Sequence, residues 1–158
     1  MNEFELTLRY KILKFKEATE EIRHLVNEAT KACAKAHAPY SGFRVGAALL
    51  LNTSEILTGS NQENAAYPSG LCAERVALFQ FGHFKGDQFI KKVAISVPQI
   101  QGEEFIPPCG ACLQVFAEYR QKQTSPIEII LSNGTELLLI APDISTFLPF
   151  AFTGRFLK

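Results

Sequence analysis

A chain of 158 residues, 47% hydrophobic and 20% charged, has enough material for one buried core without staples and the balance of a globular protein. Sixteen basic side chains offset sixteen acidic ones, which leaves no surplus of Lys and Arg to displace counterions from a nucleic acid. No apolar run approaches a bilayer span, and the opening MNEFELTLRYKILKFK does not read as a signal peptide. The expected setting is the cytoplasm, where thiols stay reduced and four cysteines point to metal or catalysis before disulfides.

In chain order, Phe4, Leu6, Leu8, Tyr10 and Ile12 alternate with polar residues and predict a half-buried strand. The phase slips at Leu13 and Phe15, which suggests a bend or bulge there. From Glu17 to Ala36 the period changes: Ala18, Ile22, Leu25, Val26, Ala29 and Cys33 fall on one helical face, and Pro39 closes the segment. Phe43 to Leu51 and Glu55 to Ser60 read as strands joined in a hairpin at Asn52-Thr53-Ser54. A helix is expected over Ala73 to Phe84, a strand over Val93 to Val97 and a second helix over Gly110 to Gln121. Ile127 to Leu131 and Glu136 to Ile140 flank Asn133-Gly134, a strong hairpin signal. A short helix after Asp143 and an aromatic tail of Phe147, Phe150, Phe152 and Phe156 end the chain. No repeat or linker interrupts residues 1–158, so a single domain is expected, with a central mixed β-sheet between helices in a three-layer α/β/α sandwich.

The chemistry is concentrated in two segments. PPCGAC (Pro107 to Cys112) and GLCAERVAL (Gly70 to Leu78) each place cysteine at a predicted helix start. The helix dipole and unpaired N–H groups there favour thiolates. Cys72, Cys109 and Cys112 suffice for three corners of a tetrahedral zinc site, with water at the fourth. Glu74, two residues from a ligand and not required as one, is placed to shuttle a proton. Three other readings compete: a redox dithiol at Cys109 and Cys112, a closed four-cysteine site that adds Cys33, and coincidental burial. The pairing of Cys-x-Glu with Cys-x-x-Cys favours the catalytic arrangement.

C-A-E-R followed by P-C-G-A-C-x-Q resembles the signature of the zinc-dependent cytidine deaminases. APYSGFRVGAALL (Ala38 to Leu50), NQENAAYPSGLCAER (Asn61 to Arg75) and LPFAF near the end are similar to the free-nucleoside branch, so the resemblance spans about residues 38 to 152. It implies one zinc held by Cys72, Cys109 and Cys112, with Glu74 as proton shuttle and Arg75 hydrogen-bonded to ligand sulfur. It also implies that Asn61 and Glu63 hold the ribose, Phe43 packs on the nucleoside, and backbone at Ala73 reads the base edge. The small enzymes of this branch form homotetramers with shared sites, so Phe152 is expected to reach a neighbouring subunit's pyrimidine. The implied reaction is deamination of cytidine and 2′-deoxycytidine in pyrimidine salvage.

Each assignment has a plainer counterpart. Phe43 could be a strand core residue, Asn61 and Glu63 a surface turn, and Phe152 an anchor of the tail. His24, His37 and His83 lie outside the motifs, and Tyr67 is left outside the site. Two positions depart from the resemblance: Leu113 where Arg is common, and Gln62 where an apolar residue is common. Deamination of another cytosine-containing small molecule, and a non-catalytic zinc protein kept for assembly, are the alternative functions; neither membrane nor nucleic acid is an expected partner.

Overall fold

Residues 46–51, GAALLL, are buried at every position, which only a strand covered on both faces can satisfy. The computed structural model describes residues 1–158 except Lys85, Gln101, Gly134, Thr135 and Lys158, and except the side chain of Phe84. The strands are β1 (Lys11–Lys14), β2 (Gly46–Leu51), β3 (Ile56–Ser60), β4 (Ile90–Val97), β5 (Glu128–Asn133) and β6 (Leu137–Ala141). The helices are α1 (Glu20–Ala32), α2 (Ala73–Phe84) and α3 (Gly110–Gln121). Among the described residues the strands form one sheet in the order β1-β6-β5-β4-β2-β3.

The two faces of this sheet are covered by different helices. Ala47, Leu49, Val93, Ile95, Ile129 and Leu131 project to one side and pack with Ala77, Leu78 and Phe81 of α2 and Phe116 of α3. Ala48, Leu50, Ala94, Ile130 and Leu138, one residue out of phase, meet Ile22, Leu25, Val26 and Ala29 of α1 on the other side. The period of two in the strands thus feeds two cores, giving the expected α/β/α layering. Thr19 starts α1 by accepting a hydrogen bond from Ile22 N at 3.3 Å, with Glu20 and Glu21 in the first turn.

β4 and β5 run parallel, while β2–β3, β2–β4, β5–β6 and β1–β6 are antiparallel. A parallel pair needs a crossover, and here α3 supplies it. β5 and β6 pair as the Asn133-Gly134 signal requires, although Gly134 and Thr135 themselves lie outside the described residues. The hairpin between β2 and β3 turns at Ser54, whose φ is +69°.

The N-terminal strand differs from its sequence reading. Pairing begins only at Lys11, and residues 1–10 have no strand partner among the described residues. The register with β6 is continuous from Lys11 to Lys14, so no bulge interrupts it; a 3-10 turn follows at Phe15–Glu17. The phase slip has another cause. Leu13 and Phe15 face the α1 core, whereas Ile12, opposite Leu139, continues the even-numbered stripe on the other face. Alternation alone records that one face is apolar; it does not say that anything covers it.

Candidate active site

α2 and α3 begin near the carboxyl end of β4, and their first residues meet there. The Cys72 carbonyl accepts the first helical bond of α2, from Val76 N at 3.1 Å. Cys109 is the N-cap of α3, and Cys112 lies in its first turn. β3 holds α2 close because residue 59 has no side chain: a Cβ there would lie 2.4 Å from the Ala73 carbonyl oxygen and 2.6 Å from Ala77 N. That contact fixes the height of α2 over the sheet, and with it the position of Cys72 and Glu74.

The three sulfur atoms all lie within 4.8 Å of one another. Cys72 and Cys109 are 3.8 Å apart, and Cys109 and Cys112 are 3.6 Å apart. Zinc–thiolate bonds of about 2.3 Å give tetrahedral edges of about 3.8 Å, so the donor set fits zinc in both chemistry and spacing. The Cys72 thiol is lowered to about 5, chiefly by its hydrogen bond with Cys112, with Arg75 and Cys109 assisting against the cost of burial. Cys112, fully buried, is raised by that same bond, by burial and by the charge of Glu74. Cys33 stands apart: its buried thiol donates to the Ser96 carbonyl at 3.4 Å, and it is not among the clustered sulfurs. The four-cysteine reading therefore has no geometric support.

Glu74 is 4% exposed. Burial raises its carboxyl above the usual carboxylate range, and the Cys72 charge adds to this. Arg75 donates through Nη2 to Cys72 Sγ at 3.9 Å and to the Gly70 carbonyl at 3.4 Å. Leu113, the first departure, is buried in the core with Phe116 and Ile144 and offers the sulfur cluster no charge. Arg75, hydrogen-bonded to Cys72, is a cation placed to offset thiolate charge.

Glu74, Cys72 and Cys109 line an open cavity of about 390 Å³ together with Phe43, Asn61 and Glu63. The sequence therefore identified groups that do converge, but two of them have inner duties as well. The Asn61 amide accepts from Val45 N and donates to the Phe43 carbonyl, both at 2.8 Å. One donor hydrogen and one lone pair remain for a ligand. The Glu63 carboxylate accepts from Tyr40 N at 2.9 Å, Ser41 N at 3.3 Å and the Ser41 hydroxyl. The Ser41 hydroxyl bond, then the Tyr40 N–H, hold its carboxyl below the ordinary range. Gly42 completes that turn at φ +67°, a conformation that favours glycine. Asn61 and Glu63 thus shape the loop that presents Phe43.

Gln62, the second departure, acquires a physical account. Its Nε2 donates to the Ser60 carbonyl and hydroxyl at 3.3 and 3.2 Å and to the Lys35 carbonyl at 3.4 Å. It ties the Asn61–Glu63 segment to the 3-10 turn Cys33–Lys35 that follows α1, a task an apolar side chain cannot do. Ala73 is fully buried, its carbonyl set against Gly59. Phe152 does not line the cavity of its own chain; it is 57% exposed, stacks on Phe156 at 6.0 Å and accepts from Gln114 Nε2 through its carbonyl. Sequence reasoning missed Tyr67, which lines the cavity and meets Tyr40 edge-to-face at 6.0 Å. It also missed Ile106 and Pro107 on the opposite wall. Their adjacency to the two motifs was the available signal.

Three clustered thiols with a buried carboxylate beside them form the donor set of an open, catalytic zinc centre rather than a closed structural one. Comparison with known proteins agrees with that chemistry. The family described as "Cytidine and deoxycytidylate deaminase zinc-binding region" matches residues 19–126. The cytidine deaminase of Halalkalibacterium halodurans is 37% identical over 131 residues, 83% of this chain and 93% of that one. A probable cytidine deaminase of Dictyostelium discoideum is 35% identical, with 81% of this chain and 76% of that one covered. The crystal structure of cytidine deaminase from Burkholderia pseudomallei superposes with a TM-score of 0.71 at 35% identity, covering 85% of this chain and 100% of that one. The chain belongs to the zinc-binding cytidine and deoxycytidylate deaminase family.

Proposed function

We propose that this protein hydrolyses cytidine and 2′-deoxycytidine to uridine and 2′-deoxyuridine, releasing ammonia. The observation that carries the reading is Glu74, a buried carboxyl beside three clustered thiols at the wall of a nucleoside-sized cavity. Zinc, when held by Cys72, Cys109 and Cys112, supplies a water molecule that loses its proton near neutral pH. Glu74 would take up that proton, deliver it to ring N3 as C4 is attacked, then take the proton of the new C4 hydroxyl and pass it to the departing amine as the C4 carbonyl forms. Its raised carboxyl suits both directions of transfer. Phe43 packs on the nucleoside, backbone at Ala73 reads the base edge, and the remaining valences of Asn61 and Glu63 meet the ribose hydroxyls. Arg75 offsets thiolate charge that would otherwise weaken the metal's pull on substrate.

The same reading makes the chain a single catalytic domain of a cytoplasmic homotetramer in pyrimidine salvage, with Phe152 reaching the site of a neighbouring copy. What supports the shared site is the exposure of the C-terminal aromatics, Phe150 at 87%, Phe152 at 57% and Phe156 at 60%. Among the described residues no helix is long and apolar enough to cross a membrane. An absorbance assay of purified protein with cytidine, deoxycytidine, cytosine and CMP, run beside a zinc determination, tests the assignment. Turnover of both nucleosides with one zinc per chain is expected. Equal kcat/KM for cytosine and cytidine would overturn the ribose contacts, and bound zinc without turnover would favour the assembly role.

A further inference from the structure

The segment preceding β1 carries a pattern that the proposed reaction does not use. Residues 1–10 make no helix, turn or strand pair among the described residues, and all are exposed. Phe4, Leu6, Leu8, Tyr10 and Ile12 are 90, 55, 48, 58 and 53% exposed and occupy alternate positions, which share one face when the segment is extended as a strand. No β1 residue joins the core under α2 and α3, so that face is uncovered at this edge. β1 has β6 on one side and no strand on the other.

The intervening positions are Glu3, Glu5, Thr7, Arg9 and Lys11: two acids, a neutral centre, two bases. Among the described residues none of these four charges enters an ion pair. Antiparallel pairing of this strand with itself about Thr7 sets Glu3 opposite Lys11 and Glu5 opposite Arg9. On the other face it sets Phe4 opposite Tyr10 and Leu6 opposite Leu8. Every pair occurs twice, as a two-fold axis demands. Shifting the axis by one residue loses both of these ion pairs and leaves a single kind in their place, Glu3 with Arg9 about Leu6 or Glu5 with Lys11 about Leu8. Parallel in-register pairing sets like charges together, which disfavours it.

We propose that this strand is a self-association site, in which a second copy of the chain pairs antiparallel with it about Thr7. The contact joins two sheets through their β1 edges. It converts an open edge, a liability in any sheet, into a paired one. The apolar stripes of the two copies meet side by side, flanked by Pro142 and Pro149, which already border Leu6 and Leu8 in each chain. The site lies before residue 19, where the family match begins, and it does not rest on the proposed reaction.

The test uses the full-length, zinc-loaded protein in sedimentation velocity across a concentration series. Glu5→Arg and Arg9→Glu each place like charges opposite one another twice, and each is expected to weaken the strand contact about tenfold. The double variant Glu5→Arg/Arg9→Glu restores it, and so does an equimolar mixture of the two single variants, whose unlike strands are complementary. Thr7→Cys, on the axis, is expected to give a covalent dimer on mild oxidation; Glu3→Cys, far from its own copy in this register, is not. Zinc content and thermal midpoint of the charge variants stay at wild-type values, separating lost association from lost folding. Identical sedimentation of the wild type and both single variants overturns the proposal. So does equal cross-linking at positions 3 and 7, the signature of unspecific adhesion by the apolar stripe.

Discussion

Asn61→Ala separates a residue that only binds substrate from one that also builds the site. In the folded chain the Asn61 amide spans two backbone groups, Val45 N and the Phe43 carbonyl, each at 2.8 Å. Each bond contributes about 0.5–1.5 kcal/mol net, so their loss costs roughly 1–3 kcal/mol. In a chain of this size one kcal/mol moves the midpoint by about 2–4 °C, which gives a fall of roughly 2–12 °C. Phe43 then leaves its place on the cavity wall, and KM for cytidine rises more than kcat falls. Thermal unfolding followed by circular dichroism, with zinc content and cytidine kinetics from the same preparation, reads all three quantities. Asn61→Asp keeps an acceptor for Val45 N and loses the donor to Phe43, so about half of the thermal loss is expected. A raised KM at an unchanged midpoint would refute the reasoning, because the amide would then serve the nucleoside alone.

Three other outcomes follow from the same contacts. Gly59→Ala forces a Cβ to within 2.4 Å of the Ala73 carbonyl oxygen; overpacking of this kind costs about 1–3 kcal/mol, and displacement of α2 should weaken zinc binding in a chelator competition. Unchanged affinity and midpoint would contradict the role given to that contact. Cys33→Ser keeps a donor for the Ser96 carbonyl and should leave one zinc per chain; loss of zinc would return Cys33 to the ligand set. The Glu63 carboxyl is held below its ordinary 4.5, first by the Ser41 hydroxyl. Its contribution is therefore complete above that value and lost as pH falls through the lower, folded one. The Tyr40 amide resonance should shift only below pH 4.5, and a transition at or above it would show that the bond does not form.

Local signals were enough for the bounds of α2 and α3, each of which opens beside a cysteine. They were also enough to put Cys72 beside Glu74 and Cys109 beside Cys112, since each pair shares one helix start; the meeting of the two starts is a contact between distant segments. What the sequence did not disclose is set by contacts between distant segments. Gln62 reaches Lys35, and Gln99 clamps the turn at Gly42 and Arg44 across the sheet end; no spacing rule records either. Asn61 was legible as a polar side chain in a motif, while its two backbone partners lie 16 and 18 residues away. The N-terminal stripe shows the converse failure. Its alternation predicts a half-buried strand, yet burial within one chain requires a covering layer, and among the described residues none extends over that edge.

In the proposed reaction Glu74 moves protons beside a metal it does not hold, and one preparation of Glu74→Ala tests this most directly. Zinc per chain and cytidine kcat are measured on the same sample. The metal content should match the wild type while kcat falls about 10²–10⁴-fold, the range for loss of a general acid–base group. Zinc lost together with activity would make Glu74 a ligand, and turnover at the wild-type rate would remove it from the reaction.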